Sequence, residues 1–109
     1  MFITGGHNVY PAEVEQTLLS MFSDKVLMLQ VLGVPHPKLQ ETAALALQLR
    51  PGAELTESEI KERCAKEMEW PKVPRYIMYL EDWSRAMTVT GKMQKFKLKE
   101  MFIEKFNIV

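Results

Sequence analysis

The stretch from Val26 to Val34 is almost uninterrupted apolar sequence, rich in branched residues and closed by Pro35-His36-Pro37. A run this short and this continuously apolar cannot alternate between core and water, so it requires a β-strand covered on both faces; such a strand is expected at the centre of a sheet. Downstream, the odd positions Ala43, Leu45, Leu47 and Leu49 are apolar, while Gln48 and Arg50 bracket the end before Pro51-Gly52. This predicts a second strand that stops at a turn. The connection between the two is short, so they must be antiparallel. Arg75 to Leu80 reads as a third strand with Tyr76, Met78 and Leu80 on one face.

Helices are expected around these strands. Pro11 followed by Glu13 opens a segment in which Val14, Leu18 and Phe22 form a single i, i+4, i+8 stripe, predicting a helix from Pro11 to about Phe22. Thr56 and Glu59 have capping-box spacing, and the helix they open runs to about Glu67 with Ile60 and Cys64 inward; Pro71 and Pro74 prevent its continuation. A polar loop from Glu81 to Lys92 precedes a last helix whose stripe is Leu98, Met101, Phe102 and Phe106. The fold class that follows is α+β, a small sheet of about three strands packed with helices in a single compact domain spanning 1–109, without repeats or an internal linker.

Composition narrows the function. Fourteen basic residues balance fourteen acidic ones, which removes the global field on which nucleic-acid binding relies, although Lys92, Lys95, Lys97 and Lys99 with Phe96 form a local basic cluster. No apolar run approaches the roughly 18–20 residues of a membrane span. The first ten residues do not read as a secretory signal. The single cysteine, Cys64, excludes an internal disulfide, suits a reducing compartment and is expected to be a packing residue. His7 and His36 have no clustered carboxylate or second ligand near them in sequence, so no metal site is expected. Glu13 and Glu15 suit the positive end of a helix without any catalytic task. An intracellular location, cytoplasmic or mitochondrial, is the expectation.

Two glycine loops serve no simple connection: Thr4-Gly5-Gly6-His7-Asn8 before the first helix and Thr88-Val89-Thr90-Gly91-Lys92 before the last. With its surroundings, the first (Ile3 to Glu15) resembles the segment that opens the C-terminal domain of the adenylate-forming superfamily: acyl-CoA synthetases, luciferases and peptide-synthetase adenylation domains. Met87 to Lys95 resembles the superfamily's last signature, and Val31 to Glu41 and Lys72 to Tyr76 are similar to segments between them, in the same order.

The resemblance, strongest to acyl-CoA synthetases, implies a mobile lid of an enzyme that adenylates a carboxylic acid with ATP and Mg and then transfers it to CoA. It implies that Lys92 is the lysine presented to the α-phosphate, with Gly91 in its loop, and that Gly5 and Gly6 line the tunnel for the pantetheine thiol. It places the ATP and acyl sites in a large N-terminal domain, acting in cis or in trans, whose phosphate loop these residues lack, and puts the interdomain hinge just before Met1. The chain alone is then expected to be inactive and to bind no cofactor tightly. Read from charge pattern alone, Lys92 is a solvated lysine among Lys95, Lys97 and Lys99, and Gly5-Gly6 is equally well a tight strand-to-helix turn. A stand-alone binding or regulatory module that docks on an adenylating partner is the alternative function.

Three positions depart from the family pattern. His7 stands where relatives often have glutamate. Gln40 stands where a glycine usually precedes the glutamate, so that loop is expected to be reshaped. Ala86 replaces a frequent proline and is expected to leave the lysine loop less restrained.

Overall fold

Both faces of the two long strands contribute to buried clusters, as the apolar run requires. In the computed structural model, which describes residues 1–108, β3 (Val26–His36) and β4 (Gln40–Leu49) form an antiparallel pair that runs from His36↔Gln40 to Val26↔Leu49. Leu29, Val31, Ala43, Leu45 and Leu47 enter one core cluster; Leu32, Val34, Ala44 and Ala46 enter another on the opposite face. From Ala44 to Leu47 the alternation in β4 is therefore one of size: Leu45 and Leu47 face one layer, and Ala44 and Ala46 the other. The small face admits bulkier partners, and Trp83 and Phe102 fill it.

The sheet has five strands, not about three. β1 (Phe2–Thr4) and β2 (His7–Val9) form a three-residue hairpin at the start of the chain, and β5 (Tyr76–Tyr79) runs parallel to β4. The order is β2-β1-β4-β3, with β5 also on β4. The hairpin escapes the sequence pattern because strands of this length carry no readable alternation.

β3 is not central either. Among the described residues it pairs only with β4, and its other edge is free of strands, whereas β4 pairs with β1, β3 and β5. Continuous hydrophobicity reports that both faces are covered and says nothing about the hydrogen-bonding edges.

Each helix forms where its stripe predicts. α1 (Pro11–Phe22) has proline in its first turn and buries Val14, Leu18 and Phe22; α2 (Glu57–Glu67) has the Thr56–Glu59 capping box in place and buries Ile60 and Cys64. Both pack on the leucine face. α3 (Lys95–Phe106) buries Leu98, Met101 and Phe102 on the alanine face and ends at Asn107, whose φ of 55° is a left-handed cap. Fully burying a side chain such as Leu18 or Phe102 contributes roughly 1.5–3 kcal/mol, so the two layers together carry the fold.

The segment from Glu81 to Lys92 is less polar in structure than in sequence. Trp83 and Ala86 are buried in it around a 3₁₀ turn (Ser84–Ala86), and the Trp83 indole donates to Gln48 Oε1 at 2.9 Å. The lone thiol, Cys64, is fully buried, and burial pushes its pKa up to about 11. It is a packing residue, as expected.

Candidate functional site

Lys92 lies on a tight hairpin that stands off the body of the domain. Met87 and Met93 bridge in antiparallel fashion, and between them Thr88 N–H donates to the Lys92 carbonyl at 2.8 Å and Gly91 N–H donates to the Thr88 carbonyl at 2.9 Å. The Thr88 hydroxyl accepts from Lys92 N–H at 2.9 Å and lies 3.0 Å from the Thr90 hydroxyl. Gly91 has φ of 86°, a left-handed conformation that costs a residue with a Cβ about 1–2 kcal/mol. Val89, Thr90, Gly91 and Lys92 are all exposed. Ala86, where the family often has proline, is buried, and its carbonyl accepts from Gln94 N–H at 2.8 Å across the base of the hairpin.

The lysines of the basic cluster do not share one environment. Lys95 is no solvated surface charge. Its ammonium donates to Glu15 Oε2 at 3.0 Å and to the Val31 carbonyl at 2.8 Å, and Glu15 Oε2 in turn accepts from Val31 N–H at 2.8 Å. Lys99 lies 3.9 Å from Glu41 Oε2. Among the described residues, Lys92 has no ion-pair partner. Glu15 is therefore also more than a helix-dipole residue, and sequence spacing could not reveal its pairing with Lys95, 80 positions away.

The glycine loop is the turn of the β1–β2 hairpin. Gly5 and Gly6 have φ of 53° and 85°, so two consecutive left-handed residues join Thr4 to His7. That geometry alone accounts for two glycines. Gly5 has a second reason: a Cβ there would lie 2.9 Å from Trp70 Cη2 and 3.3 Å from Leu39 Cδ2. The His7 ring meets Trp70 edge to face at 5.4 Å. Trp70, about half exposed, continues into a concavity of about 480 Å³ lined also by Lys61, Met68, Val73, Pro74 and Arg75. Trp70 carries one sequence signal, a tryptophan followed by Pro71 and Pro74 with no helical or strand stripe to claim it.

Gln40 has a left-handed backbone, φ 77°, without being glycine, and pairs with Thr4 and His36. His36 organises the same turn: its Nδ1 accepts from Lys38 N–H at 3.2 Å and Leu39 N–H at 3.1 Å.

An α+β domain bearing a glycine hairpin at one end of its sequence and a lysine hairpin near the other is matched among known proteins. No family model matches the chain. The medium-chain acyl-CoA ligase ACSF2, mitochondrial, of Danio rerio is 42% identical over 100 residues, covering 92% of this chain and 16% of its own. The fold superposes on ATP-bound MatB from Rhodopseudomonas palustris with a TM-score of 0.84 at 27% identity, covering 97% of this chain and 20% of that one. It superposes on a fatty acyl CoA synthetase of Mycobacterium tuberculosis with a TM-score of 0.80 at 31% identity, covering 96% of this chain and 20% of that one. The chain belongs to the adenylate-forming superfamily, with the acyl-CoA synthetases, and matches their small C-terminal part. It spans about a sixth to a fifth of the length of these relatives. No helix among the described residues is long and apolar enough to cross a membrane.

Proposed function

We propose that this chain is the mobile C-terminal lid of an intracellular acyl-CoA synthetase, presenting Lys92 to the reacting phosphate for adenylation and the Gly5-Gly6 hairpin to the thiol of CoA for transfer. The observation that carries the reading is the presentation of Lys92: an ammonium on an exposed, internally hydrogen-bonded hairpin with no carboxylate to neutralise it, while Lys95 and Lys99 are engaged and Lys97, also without an ion-pair partner among the described residues, sits on α3 and not on a loop. When a carboxylate attacks the α-phosphate of ATP, negative charge crowds the reacting centre. A preorganised cation there stabilises the transition state more than the ground state.

The opposite loop suits the second step. Two consecutive glycines expose bare backbone that a narrow chain such as pantetheine can approach closely. The neighbouring concavity offers the Trp70 ring with Lys61 and Arg75, an aromatic face and two cations of the kind a phosphate-bearing nucleotide needs. ATP, Mg and the acyl chain are assigned to a large N-terminal domain, and this chain alone is expected to be inactive.

The test uses the enzyme with both domains present. Lys92→Ala should lower adenylation on the order of 10²–10³-fold while thioester formation from a supplied acyl-adenylate stays near wild type. Equal loss of both half-reactions would sink the assignment.

A further inference from the structure

Lys92 is catalytically useful only if its hairpin is held in a fixed place. The base of the hairpin is held by the Gln94–Ala86 bond and by Met87 and Met93 against the core of the alanine face, and from there the chain continues directly into α3. That helix begins poorly by local criteria. Gln94 makes no side-chain cap, the first turn has no acidic residue, and Lys95 and Lys97 place positive charge at the positive end of the helix dipole. Something outside the helix must fix its start.

The Glu15–Lys95–Val31 triangle is the contact that does so. Lys95 is the first residue of α3, three positions after Lys92. Its ammonium is divided between the Glu15 carboxylate, one turn into α1, and the Val31 carbonyl on the strand-free edge of β3, and Glu15 holds the Val31 N–H of that same edge. Two side chains thereby take the place of a neighbouring strand at Val31, satisfying both of its backbone groups. The ion pair is partly shielded, with side-chain exposures of 39% and 20%. The carboxylate cancels the unfavourable charge at the head of α3, and its helix, α1, follows directly from the glycine hairpin.

We infer that Glu15 and Lys95 are positioning residues: they lock the head of α3 onto the edge of β3 and so fix where the Lys92 hairpin is presented. The catalytic part of this inference rests on the role proposed for Lys92, whereas the locking does not. Two measurements keep them apart.

In the chain itself, amide hydrogen exchange across residues 87–95 should accelerate on the order of tenfold in Lys95→Met and in Glu15→Gln; Lys97→Met, which removes a neighbouring charge outside the triangle, should not accelerate it. Glu15→Gln retains an acceptor for Val31 N–H, so it probes the charge even if Lys95→Met folds badly. In the two-domain enzyme, Lys95→Met should reduce kcat for adenylation on the order of 10–100-fold, the scale of a misplacement near 1 Å, with KM for ATP within about twofold, and Lys95→Arg should restore most of it. Unchanged exchange in both variants overturns the lock. Faster exchange with unaltered adenylation, in an enzyme that Lys92→Ala cripples, overturns the positioning role. A harmless Lys92→Ala instead refutes the reading of Lys92 and leaves the exchange result to judge the lock alone.

Discussion

Gln40→Gly should stabilise this domain, although it removes a side chain and replaces it with nothing. Gln40 is an exposed residue at φ 77°, in the left-handed region, where the Cβ of an L-residue crowds its own backbone at a cost of about 1–2 kcal/mol. Glycine adopts that conformation freely, but it also gains freedom in the unfolded chain, which takes back roughly 0.5–1 kcal/mol. The exposed side chain offers no burial to lose, so the net gain lies between about 0 and 1.5 kcal/mol and is about 0.75 kcal/mol at mid-range. At roughly 4–8 °C per kcal/mol for a domain near this size, the mid-range gain is a rise in Tm of about 3–6 °C. Thermal unfolding followed by circular dichroism, with a urea titration to check that m is unchanged, measures it. Gln40→Ala, which keeps the Cβ, should be close to neutral, and Gln40→Val should lower Tm because branching at Cβ tolerates this backbone least. If Gln40→Gly melts at or below the parent temperature, the strain argument at this turn is wrong.

Gly33 poses the opposite case, a glycine required by packing and not by backbone angle. A Cβ there would lie 2.5 Å from Phe2 Cγ and 2.7 Å from its Cβ, so Gly33→Ala should displace Phe2 and cost about 1–3 kcal/mol in a urea titration. Cys64 should resist thiol reagents in the native state and react at the rate of unfolding, since its folded pKa is about 11 and its side chain is buried. The same shift sets a pH dependence. The unfolded thiol ionises near 9 and the folded one near 11, so above pH 9 the unfolded state holds fewer protons. Stability should therefore be unaffected by this group below pH 9 and decline by about 3 kcal/mol between pH 9 and 11. Cys64→Ala should abolish that component of the decline, at the expense of a small cavity.

How far the sequence alone reaches is seen by comparing β3 with the Lys95 contact. Periodicity is a local property. The stripes Val14-Leu18-Phe22 and Leu98-Met101-Phe102, the capping box at Thr56, and the apolar run from Val26 each determine an element within a few residues, because the face that must leave water is written at 3.6 or 2 residue intervals. The lysine and glycine loops were legible for a similar reason, since their residue order is itself the signal. Hydrogen-bonding edges are not local. Nothing in Val26–Val34 distinguishes a central strand from an edge strand whose free backbone groups are met by Glu15 and Lys95. Likewise, nothing near Lys95 separates a lysine bound across 80 positions from the unpaired Lys92 three residues earlier. The sequence by itself determined which faces are buried and which loops carry unusual residues. Only the tertiary structure decided which strand lies at the edge and which lysines are paired, because those outcomes depend on distant groups meeting within hydrogen-bond range.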